Sequence, residues 1–385
     1  VSSTGGTTLK ALLNEGFFVY SNLQKFSSLI NYRNFVNYIR EKTNYFLISF
    51  VLLRTFKIFI FFFSSLIYSQ AGLENILFAT QDDSKKLFSG YLQPAMKGSI
   101  YLMNSGWYTT AKVHKKLGFD LTVSLNSLLI PEGEKSFDIS NFNLIQSTVS
   151  SLPTVFGDNK NEELSVTIPE NSFHPEITTN FLTPGGIKDK LPLGIISSPL
   201  IQASVGLPFK FEITIRYLPE YDRNGFYFSN YGLGIKHDLL QYFDFLNKIP
   251  TLNLSAFGAM SFMKINYNIQ SSETFKGSNQ NASFNISNYK AQLLTSFNFS
   301  IFELYGGIGI SGGKSSFNIL GNYVLEYNLS SQTNTKIPVN LSDPVQLDYS
   351  IHELSKNVGV KFKFIFLHAF IDYTFQEYDV ISVGA

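Results

Sequence analysis

The chain has no cysteine among its 385 residues, which excludes a disulfide framework, thiol catalysis and cysteine-ligated metal. Charge is scarce: Asp, Glu, Lys and Arg make up 15%, against roughly 25% in ordinary soluble domains. A basic excess is also missing. Thirty Lys and Arg face 29 Asp and Glu, for a formal net charge of +1, so nucleic acid is not an expected partner. The mean hydropathy of +0.04 is too low for a bundle of membrane helices.

Aromatic residues, by contrast, reach 16%, with 38 Phe and 21 Tyr beside one Trp. A soluble protein must hide that much Phe in a core, whereas a membrane β-barrel turns it outward and spends only alternate residues on lipid. The strands have this pattern. Phe209, Phe211, Ile213, Ile215 and Tyr217 share one face, and Lys210, Glu212, Thr214 and Arg216 share the other. Such alternation needs an oily medium on one side and water on the other.

The pattern recurs. A first strand is expected over Phe119 to Leu125, with Asp120, Thr122, Ser124 and Asn126 on the wet side. Later strands run through Tyr231–Lys236, Leu252–Ala256, Tyr289–Leu293, Phe302–Ile310, Val358–Phe366 and Ala369–Phe375. Residues 131–198 carry six prolines, with a seventh at Pro199, a density that fits short strands among long excursions. The polar stretches 271–283 and 326–346 read as long external loops. The fold class is therefore all-β: an antiparallel transmembrane β-barrel of roughly 10–14 strands. The last residues, V-I-S-V-G-A, stop in mid-pattern without the terminal aromatic usual in such barrels. A few further residues are expected after them.

Ahead of the barrel, Ile58 to Ile67 is a ten-residue apolar run preceded by Arg54 and Lys57 and followed by Tyr68, Ser69 and Gln70. A positive flank, a short greasy centre and a small terminal residue describe a secretory signal peptide, cut after Ser69. A spanning helix over Tyr45 to Tyr68 would place both cations near mid-membrane, at about 2.5–3.5 kcal/mol each. Residues 1–52 then precede the export signal and read as over-extended translation or disorder. The division is 1–52, a signal peptide at 53–69, a helical plug segment at 70–116 and the barrel at 117–385. Within the plug segment, Asp82, Asp83 and Ser84 offer helix caps, and Leu87, Phe88, Tyr91 and Leu92 fall on one helical face before Pro94. Leu87 and Tyr91 are thus expected to pack as plug residues. Trp107 and Tyr108 are expected to anchor the chain at the membrane interface, with a ligand pocket as the alternative role.

Y-L-Q-P-A-M-K-G (91–98), N-S-G-W-Y-T-T-A-K-V-H-K-K-L-G-F-D-L-T-V (104–123), L-P-T-V-F-G (152–157), S-V-G-L-P (204–208), R-Y-L-P (216–219) and Y-G-L-G-I-K-H-D (231–238) carry a family resemblance. Over about residues 71–385 the chain resembles an uncharacterised Bacteroidota family of outer-membrane proteins, a domain of unknown function. The resemblance implies an envelope location and a barrel, and no activity. A looser, fold-level likeness is to fatty-acid transporter barrels of the FadL type, which carry an N-terminal hatch in the lumen.

Catalysis has little support in the residues. His237 lies between Lys236 and Asp238, but the serine that outer-membrane phospholipases place two residues after their histidine is Leu239 here. His114, His174, His352 and His368 lack metal-ligand spacing. G-G-I-G-I-S-G-G-K (306–314) has no helix after it, as a phosphate loop requires, so its glycines are read as thinning the wall for a neighbouring side chain or plug. No cofactor, metal or enzymatic activity is expected. The wet-face charges Lys210, Glu212, Arg216, Lys236, Lys290, Glu303, Lys361, Lys363 and Asp372 are expected to line the lumen, either holding a plug by salt bridges or selecting cargo along a solute path. The leading functional expectation is passive outer-membrane uptake of a small, hydrophobic-leaning solute. The alternative is a structural or accessory barrel that binds an envelope partner, and an outer-membrane lipid hydrolase comes third. Outer-membrane lipid is the expected surrounding in each case.

Overall fold

Alternation of this kind places every second side chain on the same surface, so antiparallel strands that pair side by side build a wall with an oily and a polar side. A computed structural model describes residues 73–385, apart from 143, 171–175, 192–193, 224, 270–275, 331–332 and 365–366. The export-signal run and residues 1–52 lie outside the described residues.

In chain order, helix α1 (Gln81–Asn104) precedes strand β1 (Phe119–Leu128). Five short strands follow: β2 (Ser136–Asp138), β3 (Ile145–Gln146), β4 (Ser151–Pro153), β5 (Glu163–Ile168) and β6 (Ile177–Leu182). Next come β7 (Ile196–Gly206), β8 (Phe211–Arg223), β9 (Phe226–Asp238), β10 (Leu252–Asn268) and β11 (Lys276–Asn298). The chain ends with β12 (Phe302–Ser330), β13 (Thr333–Ser342), β14 (Val345–Lys363), β15 (His368–Phe375) and β16 (Val380–Gly384).

Ten of these strands, all but β2–β6 and β13, form a closed antiparallel ring. Closure is made where β11 meets β12, from Lys276↔Val324 to Asn298↔Glu303, and where β1 meets β16, at Leu128↔Val380. The stretch 326–346 is not loop: β12 continues to Ser330 and folds back as β13. One face of this hairpin is apolar: Tyr323, Leu325 and Tyr327 on β12 and Ile337, Val339 and Leu341 on β13 pack in the core of the head, while the Ser, Asn and Thr between them gave the stretch its loop-like composition.

The two ends of the ring differ. At one end the links β7–β8, β11–β12 and β14–β15 are a few residues each, and the β9–β10 link holds two short 3-10 turns, Leu240–Tyr242 and Leu246–Lys248. At the other end β10–β14 extend outward, and residues 129–195 form an excursion containing the hairpin β5–β6. We call these the turn end and the head. Ile215, Leu233, Met260, Leu293, Ile308, Val358 and Ile371 face outward, each about half exposed. Thr122, Gln202, Glu212, Arg216, Lys290, Asn357 and Asp372 are buried inside. This inversion of a soluble protein's arrangement marks a membrane barrel. Sequestering a Leu, Ile or Phe from water is worth about 1.5–3 kcal/mol, and lipid is the medium that supplies it to this belt.

Helix α1 occupies the interior. Thr80 caps it by accepting from the Asp83 amide at 3.4 Å, and Asp82 and Asp83 sit in the first turn, where the helix dipole favours anions. The cap is thus Thr80, two residues before Asp82. The helix also continues past Pro94 to Asn104. An interior proline costs about 3 kcal/mol in an isolated helix; here the wall packs around both halves. Leu87 and Phe88 join Leu164, Val166, Phe181, Tyr323 and Leu325 in an apolar core within the head.

Candidate functional site

The C-terminal turn of any helix leaves backbone carbonyls without partners. In α1 the barrel wall supplies the donors. Arg216 donates from Nη1 to the Met103 carbonyl at 2.8 Å and from Nη2 to the Ser105 carbonyl at 3.1 Å. Asn126 donates to the carbonyls of Leu102 and Ser105 at 3.0 and 2.9 Å. Lys290 reaches the Asn104 carbonyl at 3.0 Å. Two buried cations against the negative end of a helix are electrostatically favoured, which explains why charges are placed in this interior at all. Gly106, at φ +69°, then turns the chain, and a Cβ there would lie 2.6 Å from Asn126 Oδ1.

Below this turn the chain descends through the lumen without regular structure. The Trp107 ring lies 3.8 Å from the Arg216 guanidinium, and its Nε1 donates to the Met103 carbonyl at 3.1 Å. Gln202 completes the clamp, accepting from Arg216 Nη2 at 3.0 Å and donating to the Trp107 carbonyl at 3.2 Å. The Tyr108 hydroxyl lies 2.6 Å from Asn357 Oδ1 and also contacts Gln292, while Asn357 donates to Asp372 at 2.7 Å. Thr110 bonds Glu303 through its hydroxyl and receives Lys236 on its carbonyl at 3.3 Å. Glu212 pairs with Lys236 at 2.8 Å and accepts from the His114 amide at 2.9 Å. The chain leaves the lumen at Leu117, whose amide bonds the Gly206 carbonyl, and turns back into β1.

The wall is shaped for these side chains. A Cβ at Gly232 would meet Trp107 at 2.8 Å, and one at Gly307 would meet the Tyr108 hydroxyl at 2.3 Å. Within the glycine-rich stretch 306–314, Gly307 makes room for the plug, whereas Gly306, Gly309, Gly312 and Gly313 lie against the neighbouring strands. At the turn end, the space bordered by Trp107, His114, Asp120, Gln202 and Lys236 measures about 10 Å³, room for about one water. Higher up, Lys97 is held between Glu134, at 3.3 Å, and Glu377, and Tyr101 donates to Glu353 and Glu377. Residues 73–116 therefore fill the barrel from head to turn end.

The nine charges expected to line the lumen divide accordingly. Arg216, Lys236, Lys290, Glu212, Glu303 and Asp372 are buried inside it. Lys363 is half-buried at the turn-end rim, 3.4 Å from Glu303, and Lys361 is half-buried beside it. Lys210 is a correction: β8 begins at Phe211, and Lys210 stands in the preceding turn at φ +58°, exposed, 3.3 Å from Asp238. Replacing it is expected to cost little, so urea unfolding of Lys210→Ala should match the parent within about 0.5 kcal/mol.

Trp107 and Tyr108 are the second correction, since they are lumenal and not interface anchors. Leu87 and Tyr91 are plug residues, but in the head. Tyr91 donates to the Gly185 carbonyl at 2.9 Å, and burial pushes its phenol well above the ordinary value. Asn104 at the end of α1 and Gln202, Asn288, Gln292 and Asn357 on the wall, uncharged and easily passed over in a sequence, carry much of the network; for the four wall residues, the wet phase of the strands was the available signal. Of the expected charges, Arg216, Lys236, Lys290, Glu212 and Glu303 bond the threaded segment directly. His237 faces outward, stacked on Phe211 at 4.0 Å and bonded to Tyr242 at 3.0 Å. No group of His, Asp and Glu suited to a metal occurs among the described residues.

Residues 42–385 match the family of unknown function DUF6588, and the chain belongs to that family. No curated protein matches the sequence. Among solved structures, it is similar at 10% identity and a TM-score of 0.21 to Ail, the attachment invasion locus protein of Yersinia pestis, over 70% of this chain and 95% of that one. The translocator domain of the autotransporter NalP from Neisseria meningitidis gives 10% and 0.25, over 78% and 95%. The outer membrane protease OmpT from Escherichia coli gives 10% and 0.26, over 69% and 91%. At such scores these likenesses carry no argument, and the barrel rests on its own strand pairing.

Proposed function

We propose that this DUF6588 member is a sealed outer-membrane barrel whose work is done by its head, as an accessory protein that presents a folded surface to a partner in or on the envelope. One observation carries the reading: the lumen is filled by the chain's own segment 73–116, with its carbonyls held by Arg216, Lys290 and Asn126. Passive solute uptake needs a path that this arrangement does not leave. With short turns facing the periplasm and long excursions facing outward, the head lies at the cell surface, and the end of α1 together with residues 105–116 threads the barrel across the membrane.

The chain's lack of cysteine makes the test clean. Gln81 is exposed at the head and Lys115 is exposed at the turn end, on either side of the same threaded segment. A membrane-impermeant maleimide on intact cells is expected to label Gln81→Cys and to leave Lys115→Cys unlabelled until the outer membrane is permeabilised. Equal labelling of both, or the reverse order, would refute the threading.

A further inference from the structure

We propose that the turn-end rim from β1 to β10 is a basic and aromatic collar that binds anionic phospholipid headgroups of the inner leaflet. The collar is one arc, because β1, β7, β8, β9 and β10 are consecutive in the ring. Its apolar tips lie past the last wall residues: Leu117 and Phe119 where β1 begins, Phe209 in the β7–β8 turn, and Tyr242 and Phe245 in the β9–β10 link, all largely exposed. Phe209 is the most telling. It is 85% exposed and held at φ +59°, a backbone region that bulky side chains avoid. A turn that could have used glycine instead projects an aromatic ring outward, continuous with the lipid-facing belt formed by Phe211, Ile213 and Ile215.

At the same end stand Lys112 at the mouth of the lumen, Lys115 and Lys116 in the turn into β1 and Lys248 in the β9–β10 link, all exposed and without an acidic partner among the described residues. The acids on the same arc are mostly engaged. Asp238 pairs with Lys210, Glu212 with Lys236 and His114, and Asp120 with His114, leaving Asp244 exposed. With Lys210–Asp238 and Lys236–Glu212 cancelling, four lysines against the carboxylates of Asp120 and Asp244 give the collar a net positive charge at the end where apolar tips meet headgroups. Aromatic rings seat at that level, and lysines near an anionic surface attract it. A soluble acidic protein would satisfy the lysines but would leave the apolar tips facing water around it. A lipid headgroup with its acyl chains satisfies both. The proposal rests on the chain being a membrane barrel and is independent of whether the lumen is sealed.

The test uses the folded chain in phosphatidylcholine vesicles carrying a trace of spin-labelled phosphatidylglycerol or spin-labelled phosphatidylcholine, read by electron spin resonance as the motionally restricted fraction. The expected preference for phosphatidylglycerol is about fivefold, the equivalent of about 1 kcal/mol from a lysine near an anionic surface. It should vanish in Lys112→Gln/Lys115→Gln/Lys116→Gln/Lys248→Gln, with folding of the variant checked by its heat-modifiable gel mobility. Should the variant misfold, raising salt to about 1 M on the parent protein, where the Debye length is about 3 Å, is expected to abolish the same preference. Equal association of the two lipids with the parent protein overturns the proposal, as does a preference that survives in the folded variant or at high salt. A barrel that conducts ions yet selects phosphatidylglycerol would refute the sealed lumen and leave the collar standing.

Discussion

Arg216→Ala is expected to destabilise the folded barrel by about 3–5 kcal/mol, from two charge-assisted hydrogen bonds at about 1.5–3 kcal/mol each and the space left beside Trp107. Arg216 is fully buried, and its guanidinium holds the carbonyls of Met103 and Ser105 and the side chain of Gln202. Without it, the end of α1 loses the cation closest to its last turn, and Gln202 loses the group that fixes its orientation. Arg216→Lys should recover less than half, since an ammonium cannot span two carbonyls and stack on an indole as a planar fork does. Urea unfolding in lipid vesicles, followed by gel mobility of unheated samples, measures the difference. A loss below about 1 kcal/mol for Arg216→Ala would mean that the helix end is held by something other than this clamp.

The second large effect is expected where the wall is thinned for the indole. A Cβ at Gly232 would sit 2.6 Å from the Ser261 Cβ, 2.8 Å from the Trp107 ring and 3.0 Å from the Met260 carbonyl. Gly232→Val is therefore expected to cost about 1–3 kcal/mol through overpacking, and Trp107→Ala about 3–5 kcal/mol through the cavity it leaves. The informative quantity is their combination. If the glycine exists to seat the indole, the double variant should be more stable than the sum of the two losses by about 0.5–3 kcal/mol. Simple additivity would show that Gly232 serves strand pairing alone.

The wall was legible in the sequence because alternation between lipid and lumen is a two-residue code that each strand repeats independently. Phe211–Tyr217 and Tyr231–Lys236 read correctly for that reason. The plug was legible as a helix but not in its length, because no local signal carries α1 through Pro94; the contacts that sustain it come from β11, β12 and β14, far away in sequence. Lys210 misled because it continues the charged phase of the strand by one residue into a turn. Trp107 and Tyr108 misled because an amphipathic ring has the same composition at a membrane interface and in a polar lumen. The residues that hold the threaded segment, Asn126, Gln202 and Asn357, are uncharged amides whose importance depends on which carbonyls and hydroxyls of that segment come to meet them.

The central claim is that residues 73–116 close the lumen, and ion conductance of the folded chain in a planar lipid bilayer tests it most directly. With insertion verified by heat-modifiable mobility, the account predicts a silent membrane at both signs of voltage. Steady, voltage-independent conductance steps from the parent protein would establish a continuous aqueous path and contradict it.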